Sequence, residues 1–183
     1  WTMVVSAQHS VIIKNDRHSL SCKIVMIAPE INTISVIRVI KLVIQFKFCV
    51  FFIDIFTDEE KDTVRELWDE RESGYNFLVA RDGERILGYS CFGPRALTEG
   101  AYDWYWLAVD PSARRLGVGK ALLRATESEV RARGGRLIIL ETSGMLAYEA
   151  PRTLYLTSGY KQEALIRDFY KPGDDLVVFT MHF

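Results

Sequence analysis

Cysteine and histidine are scarce in this chain, three of each in 183 residues, and neither is grouped. Cys22, Cys49 and Cys91 are far apart and form no C-x-x-C pair, which excludes a disulfide framework and a zinc site of the usual spacing and fits a reducing cytoplasm. His9, His18 and His182 lie near the two ends with no carboxylate or cysteine at ligand spacing, so no metal is expected. Charge of either sign is not in excess: 23 Lys and Arg against 24 Asp and Glu give a net charge of −1, which gives no electrostatic footprint for nucleic acid. Uninterrupted apolar runs are also missing. The segment 31–56 is rich in Ile, Val and Phe, but Arg38, Lys41, Gln45, Lys47 and Asp54 break it before about 18 apolar residues accumulate. A buried helix followed by a strand-like piece is expected there, with Phe48 to Ile53 an aggregation-prone stretch if poorly packed. The first residues lack the charged, apolar and small-residue order of a signal peptide. A chain starting at Trp1 is compatible with a fragment or a translated upstream region. These absences leave a soluble, cytoplasmic, globular protein without a membrane partner.

What is present is an ordinary core-forming composition, 49% hydrophobic and 26% charged, and a sequence of periodic segments without internal repeat or low-complexity linker. Lys23 to Ala28 reads as a strand, and Asn32 can cap a helix carrying Ile34, Ile37, Val39 and Ile40. Thr57 and Glu60 form a capping box opening a helix with Val64, Leu67 and Trp68 on one face. Tyr75–Ala80 and Glu84–Phe92 are strand-like around the hairpin signal Asp82-Gly83. A strand over Tyr102–Val109, a helix from about Gly117 to Arg133 and an apolar strand over Arg136–Thr142 follow. A helix starting at Pro151 and stopping at Gly159, then strands over Lys161–Ile166 and Leu176–Met181, complete the order. The expectation is an α/β fold: a mixed, largely antiparallel central sheet flanked by helices. Residues 1–22 read as a divergent N-terminal extension compatible with disorder, and residues 23–183 as one domain.

The most informative stretch joins the Tyr102–Val109 strand to the next helix: Asp110-Pro111-Ser112-Ala113-Arg114-Arg115-Leu116-Gly117-Val118-Gly119-Lys120. A strand, a glycine turn and a helix start form a cradle for a pyrophosphate, because glycines admit the ligand to the backbone and successive N–H groups and the helix dipole favour negative charge. A P-loop is excluded, since Arg114 stands at its first glycine and Ala121 at its hydroxyl residue; a dinucleotide fingerprint is excluded by Leu122. The spacing that remains is Arg-x-x-Gly-x-Gly on Arg114, Gly117 and Gly119.

That motif resembles the coenzyme A loop of the GNAT superfamily of acetyl-CoA-dependent N-acetyltransferases, and the element order from about Lys23 onward is similar to that fold. Leu154-Tyr155-Leu156-Thr157-Ser158-Gly159-Tyr160 is similar to the superfamily's Leu-Tyr-x-x-x-Gly-Phe segment. Tyr102 to Trp106, Glu141-Thr142-Ser143 and the segment Asp168-Phe169-Tyr170 to Gly173-Asp174-Asp175 resemble one subgroup, in which the last segment is a loop flanking the acceptor. The resemblance implies that acetyl-CoA is the co-substrate, with its pyrophosphate on the N–H groups of Arg114, Arg115, Leu116, Gly117, Val118, Gly119 and Lys120. Its pantetheine arm would run beside Leu107, Ala108 and Val109 like an added strand. An N–H near Val109 would be the oxyanion donor. Tyr155 would protonate the departing thiolate, a transfer from a phenol of pKa about 10 to a thiol of about 8.5 that is modestly uphill. Asp103 and Glu141 are the two candidates for the base; a carboxylate of pKa about 4 serves only if burial raises it or water relays the proton. Aspartates 168, 174 and 175 could attract a cationic amine. One departure stands out: Tyr148 occupies the position where many members carry an asparagine for the pantetheine, and Pro151 follows it.

The expectation is therefore an N-acetyltransferase moving an acetyl group from acetyl-CoA to a primary amine of a small molecule or amino acid, by direct attack in a ternary complex. The alternatives are a protein or peptide N-acetyltransferase, a non-catalytic acyl-CoA-binding regulatory module, and a degraded or chimeric product that folds poorly. A homodimer is left open.

Overall fold

The computed structural model describes residues 12–15, 18–21, 23–27, 58–69 and 74–183. The helix expected from Asn32, the stretch Phe48 to Ile53 and the capping residue Thr57 lie outside them. The described elements are β1 (Ile12–Asn15), β2 (His18–Ser21), β3 (Lys23–Ile27), α1 (Asp58–Asp69), β4 (Asn76–Asp82), β5 (Arg85–Pro94), β6 (Ala101–Val109), α2 (Val118–Ala132), β7 (Leu137–Ser143), α3 (Glu149–Thr157), β8 (Lys161–Lys171) and β9 (Asp174–His182). A 3₁₀ turn precedes each of α2 and α3, at Pro111–Ala113 and Leu146–Tyr148. β1 and β2 pair as an antiparallel hairpin within the expected N-terminal extension. The other strands are hydrogen-bonded in the order β3-β4-β5-β6-β7-β9-β8. The β6–β7 pair is parallel, whereas β3–β4, β7–β9 and β8–β9 are antiparallel. This is the mixed, largely antiparallel α/β sheet expected from the sequence.

The described residues fall into two compact units, one of those up to Cys91 with residues 106–125, the other of residues 92–105 and 126–183. In the first, Phe77 to Ala80 and the run from Ile86 to Cys91 are buried, as continuous apolar runs in inner strands should be. Val118, Leu122 and Leu123 supply the buried stripe of α2's first half. Gly88 marks a close backbone approach: a Cβ there would lie 2.5 Å from the Ala108 carbonyl oxygen and 3.2 Å from Val109 Cα. Cys91 is fully buried, and burial pushes its thiol far above the ordinary range, which makes it an inert packing residue.

In the second unit the core is largely aromatic. Trp104, Tyr155, Tyr160 and Phe179 pack with tilted rings, centroids 5.7 to 6.4 Å apart, a favoured geometry for ring quadrupoles. The subgroup segment starting at Asp168 is not a free loop. β8 runs through Lys171 and turns at Gly173 into β9, and the carboxylates of Asp168 and Asp175 brace the hairpin. The Asp168 N–H donates to Asp175 Oδ1 at 2.9 Å, and the Gly173 N–H donates to Asp168 Oδ1 at 2.6 Å.

Replacing Gly88 with Ala is expected to destabilise the protein by about 1–3 kcal/mol, since the clash is with backbone and cannot relax by a rotamer change. Urea titration of the two proteins checks this; an unchanged midpoint would refute the close approach.

Candidate active site

The glycine turn begins where β6 stops, at Asp110. Its N–H donates to Leu87 O at 2.9 Å, and its carboxylate accepts from the Ser112 N–H at 2.8 Å, capping the 3₁₀ turn with Pro111 in the first position. The Ser112 hydroxyl donates to the same oxygen at 2.5 Å. Arg85 reaches across from the start of β5, 3.3 Å from both carboxylate oxygens, and also donates to Ser112 Oγ. Burial alone would raise the Asp110 carboxyl, but the Ser112 hydrogen bonds and the Arg85 guanidinium outweigh it and hold it below its ordinary 3.8. The latch is legible only in part: Asp-Pro-Ser is a local capping pattern, whereas nothing local marks Arg85 as its partner.

Beyond the latch, Arg114 is extended, Arg115 and Gly117 are left-handed (φ 61° and 89°), and α2 starts at Val118. Gly117 meets the left-handed requirement without a Cβ penalty; Arg115 carries that strain as a non-glycine residue. The first backbone bond into the helix runs from the Ala121 N–H to Gly117 O at 3.0 Å. The N–H groups of Val118, Gly119 and Lys120 therefore precede the helical ladder, at the positive end of the dipole. Arg114, Arg115 and Lys120 are exposed beside them, Leu116 and Gly119 half-buried, and Val118 buried. At the end of β6, Leu107 and Val109 are half-buried and Ala108 is buried. This turn can hold a polyanion by main chain and by cationic side chains together.

In the second unit, Tyr155 on α3 is 8% exposed within the aromatic cluster. Burial pushes its phenol well above its usual range, so it is protonated at neutral pH. Asp103 on β6 accepts from Arg95 Nη1 at 2.6 Å, which commits one carboxylate oxygen to a cation. Glu141 on β7, opposite Val178 of β9, is exposed, and its side chain has no hydrogen bond or ion pair among the described residues. Tyr148 lies in the turn ahead of α3, as its N-cap, and Pro151 occupies the helix's first turn.

The sequence did not reveal that two separate motifs meet. The Ser143 hydroxyl donates to the buried Asp174 at 2.5 Å, the Met145 N–H donates to Ser143 Oγ at 3.0 Å, and the Gly144 N–H donates to Asp175 O at 2.7 Å. Arg152 of α3 then donates to Ser143 O at 2.6 Å and to Met145 O at 2.8 Å, tying the turn after β7 to the helix that carries Tyr155. Asp174 is thus a structural acceptor, not a free charge for a substrate amine. Among the described residues no three His, Cys, Asp or Glu side chains could hold one metal ion, and no helix is long and apolar enough to cross a membrane.

Comparison with known proteins adds to this geometry. Residues 44–145 match the family model described as Acetyltransferase (GNAT) family. Over 110 residues, 56% of this chain and 68% of the relative, the sequence is 37% identical to aminoglycoside N(6')-acetyltransferase type 1 of Klebsiella aerogenes. A solved structure of a GNAT-family protein from Desulfovibrio desulfuricans is similar with TM-score 0.74 and 34% identity, covering 87% of this chain and 98% of that one. A GNAT acetyltransferase of Elizabethkingia anophelis with acetyl-CoA bound has TM-score 0.62 at 13% identity, covering 88% and 98%, a likeness of fold alone.

Asp110 titrates lower in the folded protein than unfolded, so its contribution to stability is complete above pH 3.8 and is lost as pH falls through its folded value. Asp110→Asn is expected to lower the urea midpoint at neutral pH, with the gap from the parent closing below pH 3.8. A gap independent of pH would show that the latch is not electrostatic.

Proposed function

Because the chain belongs to the GNAT acetyltransferase family and is an acyltransferase enzyme, we propose that it transfers the acetyl group of acetyl-CoA to a primary amine of a small molecule by direct attack in a ternary complex. The acetyltransferase domain of this proposal spans residues 23–183. The observation that carries it is the latched basic turn, with the N–H groups of Val118, Gly119 and Lys120 outside the helical ladder and Arg114 and Arg115 beside them. Those groups hold the donor's pyrophosphate, and the edge at Leu107, Ala108 and Val109 takes its pantetheine arm.

The amine nitrogen attacks the thioester carbonyl carbon, forming the C–N bond and an oxyanion that the main chain near Val109 stabilises. The C–S bond then breaks, and the thiolate takes the proton of the Tyr155 phenol. The proton lost by the nitrogen goes to water held by a carboxylate and restores the phenol. Glu141 is the better candidate for that carboxylate, since Arg95 holds Asp103. An acceptor in the aminoglycoside or small-amine class is supported by the name of the 37% identical relative.

Thiol release from acetyl-CoA across a panel of aminoglycosides, small amines, amino acids and peptides tests the proposal. Amine-dependent release is expected, with Tyr155→Phe lowering kcat by ~10²-fold or more, the low end for a general acid. Glu141→Gln is expected to cost more than Asp103→Asn. Acetyl-CoA that raises Tm without release for any amine would favour a binding module, peptide-only turnover would favour a protein N-acetyltransferase, and no Tm shift would remove the donor assignment.

A further inference from the structure

α3 carries the Tyr155 phenol, yet little of the helix is covered. Of its nine residues Tyr155 alone is buried; Pro151, Arg152 and Leu154 are half-buried and the rest exposed. A helix this short is not stable by itself and takes its place from what it packs on. Neither flank supplies much. The N-cap Tyr148 makes no side-chain capping bond, and all eleven residues of β8, the strand that follows, are exposed, Leu165 and Ile166 among them. The Thr157 hydroxyl donates to Thr153 O at 2.7 Å, a bond that stays within the helix. Among the described residues, the side-chain hydrogen bonds that leave α3 are those of Arg152.

Arg152 and Tyr155 are three residues apart and so share a helix face. Both hydrogens of Arg152 Nη1 go to main-chain acceptors, Ser143 O at 2.6 Å and Met145 O at 2.8 Å. Those acceptors are themselves fixed. The Ser143 hydroxyl is bound to the buried Asp174, the Gly144 N–H to Asp175 O, and the Tyr148 N–H closes the 3₁₀ turn on Met145 O at 3.0 Å. A guanidinium keeps its charge, and hydrogen bonds from a charged donor are the stronger kind.

We propose that Arg152 is a positioning residue for the reaction: by gripping the turn after β7 it fixes the rotation and height of α3, and with them the place of the Tyr155 hydroxyl. The surrounding rings cannot do this alone. Tilted ring contacts are favourable over a range of separations, here 5.7 to 6.4 Å, and so tolerate a small slide of the helix, whereas hydrogen bonds weaken steeply away from their preferred length and angle. A proton donor must come within about 2.6–3.2 Å of the atom that takes the proton, and a misplacement of about 1 Å can cost on the order of 10²-fold in rate. The inference rests on Tyr155 as the acid that meets the thiolate; Arg152 acts through it.

Two measurements test this. In a double-mutant cycle on thiol release, Arg152→Met is expected to lower kcat at least ~10-fold in the parent and to cost nothing further in Tyr155→Phe, because an absent phenol cannot be misplaced. Equal losses in both backgrounds overturn the proposal. Fluorine NMR of protein labelled with 3-fluorotyrosine reads the placement of the ring without turnover, the Tyr155 signal being the one that Tyr155→Phe removes. That signal is expected to shift in Arg152→Met and to return toward its parent position in Arg152→Lys, since both bonds come from one nitrogen, which an ammonium can replace. A signal that Arg152→Met leaves in place, or that Arg152→Lys does not bring back, overturns the proposal equally. If no amine is turned over, the proposed reaction fails and the fluorine signal decides the positioning alone. Circular dichroism checks each variant for fold; should Arg152→Met not fold, Arg152→Gln, too short to reach both carbonyls, takes its place in both measurements.

Discussion

The glycine turn depends on Asp110. Its amide holds the Leu87 carbonyl of β5, its carboxylate closes the turn on Ser112, and Arg85 neutralises it from the same strand. The turn that follows uses a left-handed Arg115, a conformation costing of order 1 kcal/mol or more for a residue with a Cβ, and so needs an anchor that over-determines it. An anion site made of main chain must be in place before the ligand arrives. Otherwise, ordering the loop on binding would offset much of the gain from the N–H contacts. Asp110 provides that order from the foot of the turn.

Chemistry and packing are handled differently in the second unit. Tyr155 is held by rings, not by a hydrogen-bond relay, and the same burial that fixes it keeps its proton on. The polar connections lie apart from the rings, where Ser143, Asp174 and Arg152 join the ends of β7 and α3 to the β8–β9 turn. The buried Asp174 in that network is satisfied by the Ser143 hydroxyl, which offsets the cost of its burial.

The sequence showed the element order, the glycine turn and the Leu-Tyr segment, because each is a local pattern: a change of hydrophobic period, a spacing of glycines, a helix stop. The same locality explains the shortfalls. Asp168 to Asp175 reads as an acidic loop, yet Asp175 accepts from the Asp168 N–H, Asp168 from the Gly173 N–H and Asp174 from the Ser143 hydroxyl, and β8 extends through Lys171, a use of charge that composition does not reveal. Asp103 and Glu141 look equivalent as carboxylates on neighbouring strands; Arg95, which distinguishes them, is held near Asp103 by the turn before β6. Arg85 and Asp110, like Ser143 and Asp174, are partners only because strands bring distant positions together.

The exposure of β8 has an evolutionary consequence. A residue with about half its surface in solvent contributes little to stability through its side chain, and substitutions at such positions are usually near neutral for the fold. Drift should therefore erode Leu165 and Ile166 toward polar residues across descendants, unless something other than folding preserves them. Retained apolar character at these two positions would show a constraint beyond folding, legible in any set of orthologues without purifying a protein.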